Sequence, residues 1–94
     1  MYHTGYFSLI FEDGMRIYYK TTFSAERWSA RSVLRRKAFT FMHDLNAVGL
    51  SVESLMDCLL CAETLTPNAG LNDVDVYQGD IEPIRSVQDL DVFT

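Results

Sequence analysis

The feature that most constrains the fold is a turn pair set between two β-prone runs near the start of the chain. Tyr6-Phe7-Ser8-Leu9-Ile10-Phe11 and Arg16-Ile17-Tyr18-Tyr19-Lys20-Thr21-Thr22-Phe23 are rich in the aromatic and β-branched residues that suit a pleated surface. Asp13-Gly14 between them tolerates the positive φ angles of a tight primed turn, so residues 1–23 are expected to form a β-hairpin. With Asp13-Gly14 as a two-residue loop, Phe11 faces Arg16, Leu9 faces Tyr18 and Phe7 faces Lys20. Tyr6, Ile10, Ile17 and Tyr19 then share the opposite face. Both faces carry more apolar surface than one buried side requires. Either a second layer covers the spare face, or it docks a partner or a second copy of the chain.

Beyond the hairpin the apolar period lengthens. Ser24 is a credible N-cap with Glu26 in the first turn, and a helix is expected from Ala25 to about Asn46, with Gly49 just past its end. Its stripe is Ala30, Leu34, Ala38, Phe41, Met42 and Leu45, and extended backwards it meets Arg31 and Arg27. Trp28, Arg35 and Phe39 fall on one flank. Ser51 is expected to cap a second helix over 52–65, because Val52, Leu55, Met56, Leu59 and Leu60 follow helical spacing. Pro67-Asn68-Ala69-Gly70 ends it, and Asp73-Val74-Asp75-Val76-Tyr77 alternates as a strand with one buried face does. Residues 86–93 fit a short helix or an extended tail. The expectation is one α+β domain over 1–94, in the order ββααβ, with no interdomain linker.

Charge is segregated along this order. Residues 16–37 hold seven of the eight basic side chains against Glu26, for +6, whereas residues 38–94 hold ten acids against Arg85, for −9. The whole chain of 94 residues carries −5. One end attracts anions and the rest repels a polyanion, unless the two blocks pair with each other. The apolar runs are too short for a membrane helix, and no charged-then-apolar leader opens the sequence. Two cysteines are too few for a disulfide framework, which points to a reducing, cytoplasmic residence.

Catalytic chemistry finds little to build on. His3 and His43 are the bases available at neutral pH, and no glycine elbow or helix N-terminus stands beside Cys58 or Cys61 to activate a thiol. Cys58-Leu-Leu-Cys61 has metal-knuckle spacing without a knuckle or further ligands, so core packing is the better reading. Residues 73–84 lack the sixth-position glycine and twelfth-position glutamate of a calcium loop. No metal, cofactor or enzymatic activity is expected.

Two surfaces remain. Arg27, Arg31, Arg35, Arg36 and Lys37, with Trp28 among them, set cations beside rings as a nucleic-acid surface requires. The acid pairs Asp73/Asp75, Asp80/Glu82 and Asp89/Asp91 place like charges about 6.6–6.8 Å apart along extended backbone. Such rows suit a protein groove lined with Arg and Lys, even one built for a phosphate backbone. The expected function is that of a small, acidic, non-catalytic regulator or inhibitor that binds another protein through these rows. Its sharpest form is a phage-type inhibitor of a host nucleic-acid-binding machine. The alternative is a nucleic-acid-binding module that uses the basic helix, residues 27–37.

Overall fold

The computed structural model describes residues 2–65, 81–84 and 90–93, with backbone alone for 61–65. Two long strands, β1 (Tyr2–Phe11) and β2 (Arg16–Ser24), form the expected hairpin. One helix follows, α1 (Ala30–Ala47), and then β3 (Val52–Leu65), the short β4 (Ile81–Pro83) and a 3-10 turn over Asp91–Phe93. The four strands make one antiparallel sheet in the order β3-β1-β2-β4. Among the described residues the order is ββαββ, an α+β fold with one helix. The ββααβ expectation is corrected in its second helix, and the strand expected over 73–77 lies outside the described residues.

The hairpin closes through three residues and not two. The Phe11 N–H donates to the Met15 carbonyl at 2.8 Å, and the Gly14 N–H donates to the Phe11 carbonyl at 2.8 Å. Gly14 takes φ 86°, which fits a turn followed by a left-handed residue, the usual three-residue hairpin loop. The Asp13 carboxylate also accepts from the Met15 N–H at 3.0 Å. The extra loop residue moves the register by one, so Leu9 pairs with Ile17 and Phe7 with Tyr19. A slip of one turns every side chain of a strand to the other face. Ile17 and Tyr19 therefore join Phe7 and Leu9 beneath the helix, while Tyr6 and Ile10 lie on the far side with Arg16, Tyr18 and Lys20. The four residues expected to share one docking face are divided between two faces.

The core is Phe7, Leu9, Tyr19, Phe23, Leu34 and Ala38, with Phe41 edge-on to Tyr19 at 5.0 Å. Its helical side is the expected stripe, since Leu34 and Ala38 are buried and Ala30, Phe41, Met42 and Leu45 pack against them. Gly5 makes the close approach of α1 possible: a Cβ there would stand 2.5 Å and 2.8 Å from the two Leu34 methyl carbons. The helix begins later than Ser24, because Phe23 is 1% exposed and Ser24 still pairs with Tyr2 in the sheet. Ser29 is the N-cap, its hydroxyl oxygen accepting from the Ser32 N–H at 3.2 Å. That start takes Arg27 and Trp28 off the helix and removes the conflict of Arg27 with the stripe. The C-terminus ends as expected at Gly49, φ 98°. Gly49 N–H donates to Asn46 O at 3.1 Å and Leu50 N–H to Leu45 O at 3.0 Å, the paired bonds of a Schellman cap.

β3 is the largest correction. Against β1 its register shifts at three places, between Phe11 and Ile10, between Ser8 and Tyr6, and between Gly5 and His3. Each shift inserts unpaired backbone, so inward positions no longer recur every second residue. Val52, Leu55, Cys58 and Leu60 are the ones that pack on the core, at spacings of three, three and two. Met56 and Leu59, across from Ser8 and Tyr6, are exposed. A bulged strand thus imitates the period of a helix. Tertiary demand decides between them. Tyr2 and Thr4 through Leu9 of β1 are buried, and a buried strand with an unpaired edge would leave backbone groups without partners.

Candidate functional site

The exposed side of α1 and the segment before it gather the basic and aromatic residues named from the sequence. Arg27, Trp28, Arg31, Arg35, Arg36 and Phe39 are exposed, and Lys37 is half-buried. Trp28 is 67% exposed, unusual for a side chain with so much to gain from burial. No carboxylate among the described residues pairs with Arg27, Arg31, Arg35 or Arg36. The Arg35 guanidinium lies 5.6 Å from the Phe39 ring centroid, so one cation is already held against a ring.

Beside this crest runs a groove of about 720 Å³ between α1 and β4. Ser32, Arg36, Thr40 and Asp44 line it at helical spacing, with Val33, Lys37 and Phe41 alongside, Trp28 at one end and Ile81 across from the helix. Its origin is the placement of α1, which packs chiefly on β3 and β1 and so leaves room beside β4. A shallower hollow of about 410 Å³ lies over Ser32, Arg35, Arg36, Phe39 and Thr40. Ser32, Arg36 and Thr40 border both. Sequence reasoning named Trp28 and the cations but missed Val33, Phe41 and Ile81, which supply apolar lining. The 32-36-40-44 stripe was a visible signal for one wall, whereas Ile81 joins only through the β4–β2 pairing.

The far face of the sheet is built differently. Asp57 takes φ 56° within the second irregularity of β3, a conformation that short polar side chains tolerate best. There its carboxylate forms an ion pair with the Arg16 guanidinium. Ser8, fully buried, accepts from Arg16 Nε at 3.1 Å and donates to Asp57 at 3.2 Å. Phe93 of the closing turn covers the neighbouring rings, 4.7 Å from Tyr18 and 6.0 Å from Tyr6. Part of the spare hairpin face is therefore covered from within the chain. Tyr6 and Tyr19 are both buried, while Ile10 and Ile17 are half-buried.

Of the acidic rows, Asp73, Asp75, Asp80 and Asp89 lie outside the described residues. Glu82 is exposed on β4, opposite Lys20 in register. Asp91 is exposed on the closing turn and is engaged in an interaction of its own. Cys58 is a free thiol packed at the core margin, and Cys61 has only its backbone described, in β3. Burial pushes the Cys58 thiol up, with Arg35 drawing it partly back. Burial likewise raises Tyr19 and lowers His3, which stacks on Phe23 at 5.6 Å. Among the described residues no three of His, Cys, Asp or Glu converge on a metal position, and no helix is long and apolar enough to cross a membrane.

No family model, curated protein or solved structure matches this chain. The functional reading rests on the surface itself.

Proposed function

We propose that this is a small, non-catalytic regulator that binds a partner protein, and that its working surface is the basic, aromatic face of α1. One observation carries the reading: Trp28 stands largely in solvent at the end of a groove bordered by Arg36 and Lys37. Exposed tryptophan and arginine are the residue types that dominate protein interfaces when a partner covers them. The acidic rows give less to build on as the working surface, since Asp73, Asp75, Asp80 and Asp89 lie outside the described residues and Glu82 stands opposite Lys20 in register. A cytoplasmic residence goes with this reading, because Cys58 is a free thiol.

A nucleic acid would use the same cations, but a net charge of −5 opposes a long polyanion. The test compares partners recovered from the native host by the wild-type chain, by an R31E/R35E/R36E variant and by an E82K variant. The expected partner survives nuclease treatment, is lost only by the triple reversal, and protects residues 30–44 from hydrogen exchange. Loss with E82K alone would return the function to the acidic surface. Loss after nuclease treatment would make this a nucleic-acid-binding module.

A further inference from the structure

We propose that the groove between α1 and β4 seats an apolar anchor carried in an acidic segment of the partner. The inference rests on the reading above and specifies what the surface recognises: a short extended stretch with a leucine or aromatic side chain among aspartates and glutamates.

The groove has the two parts such a segment needs. Val33, Phe41 and Ile81 give it apolar lining, and Trp28 stands at its end as a ring to close over an anchor. Arg36 and Lys37 border that lining, and Arg31 and Arg35 add exposed charge on the crest. Exposed ion pairs are individually weak and salt-screened, so the cations steer and orient while the apolar anchor holds. Nucleic acid fits less well. Asp44 at one end of the groove would repel a phosphate, and the chain's net charge of −5 opposes a polyanion running along it.

Charge along the groove also sets a direction. From Ser32 to Asp44 the lining covers about 18 Å of helix at 1.5 Å per residue, room for roughly five residues of extended peptide. Its Arg36 and Lys37 stretch is cationic and the Asp44 end is anionic. The acids of the segment lie toward Trp28, and a neutral or basic residue lies at Asp44.

The chain contains one tryptophan, so its fluorescence reports on Trp28 alone. Three probes are titrated: a short capped peptide of aspartates and glutamates around a central Leu-Phe pair, the same peptide with Ser-Ser at its centre, and an oligothymidylate. The Leu-Phe peptide is expected to blue-shift Trp28 emission and to bind roughly ten- to two-hundredfold tighter than the Ser-Ser peptide, the range one apolar group commands in a pocket. Calorimetry of a W28A variant, which changes an exposed side chain and leaves the core intact, is expected to show that difference collapse. An R35E/R36E variant weakens both peptides. If the two peptides bind alike and the double reversal abolishes both, the anchor seat is wrong and the cationic docking face stands. If neither peptide binds, or the oligothymidylate binds best and quenches Trp28, both the seat and the protein-docking reading are overturned.

Discussion

β2 and β3 flank the same strand, pair with it in the same antiparallel sense, and obey different rules. β2 follows β1 residue for residue from Tyr2↔Ser24 to Ile10↔Arg16 without a shift. β3 breaks register three times along the same strand. The difference lies in what joins each to β1. A three-residue loop delivers β2 in one fixed register. β3 follows an 18-residue helix, so no short loop fixes its register against β1. Irregularity is the outcome, and at Asp57 it turns a carboxylate toward Arg16. Regular pairing therefore lies where connection is local, and side-chain placement beyond the reach of alternation lies where it is not.

The largest expected effect falls on the strand that both neighbours share. Gly5 pairs with Thr21 on one side and Leu60 on the other, beneath Leu34. Gly5→Val is expected to destabilise the chain by about 3 kcal/mol or more through overpacking. Leu34→Ala costs about 2–5 kcal/mol by itself, and the double variant should cost clearly less than the sum. Chemical unfolding of the three variants checks this; strict additivity would mean that α1 does not close on Gly5.

Next comes the β3 irregularity. Asp57→Val places a β-branched residue at positive φ and is expected to lose about 2 kcal/mol. Asp57→Gly keeps the bend and loses the partly exposed pair with Arg16 and the hydrogen bond from Ser8, whose hydroxyl still reaches the Met56 carbonyl. It is expected to stay within about 1 kcal/mol of wild type. Equal losses would sink the left-handed assignment. The corresponding change in the regular neighbour is smaller: Gly14→Ala, at φ 86° with open space around it, should cost about 1 kcal/mol from backbone strain alone. Urea midpoints rank the three, and Gly14→Ala is expected to leave the Asp57–Arg16 pairing unchanged in amide chemical shifts.

The smallest effect is electrostatic. His3 lies in β1 on the ring of Phe23, and burial lowers its pKa from the ordinary 6.5. The unfolded chain takes up that proton first as pH falls, so stability present above about pH 6.5 declines between that value and the lowered one of the folded state. Melting temperatures at pH 7.5 and 5.5 should differ less in His3→Gln than in wild type; an unchanged difference would show that His3 does not contribute.

How legible each part was follows from the range of the interactions that set it. The hairpin, the stripe Leu34–Ala38–Leu45 and the Gly49 stop rest on contacts within a few residues or on one helical face, and all three stand in the structure as expected. The two-residue loop failed by one residue because Asp13-Gly14 suits two loop lengths. That slip was enough to separate Ile17 and Tyr19 from Tyr6 and Ile10. The cations of the candidate site were legible as a charge block, whereas its apolar lining was not, since Phe41 also belonged to the core stripe.

Local chemistry set the turn glycines, the helix stop and the sign of the charge on α1, because backbone φ and side-chain charge belong to single residues. Tertiary structure alone decided that 52–65 is a strand. Leu55, Met56, Leu59 and Leu60 are good helix formers at helical spacing, yet β1, buried over most of its length, needed hydrogen bonds on its second edge. It likewise decided the groove. The room beside Ile81 exists because α1 rests toward β3, and where a helix settles on a sheet depends on the shape of both surfaces together.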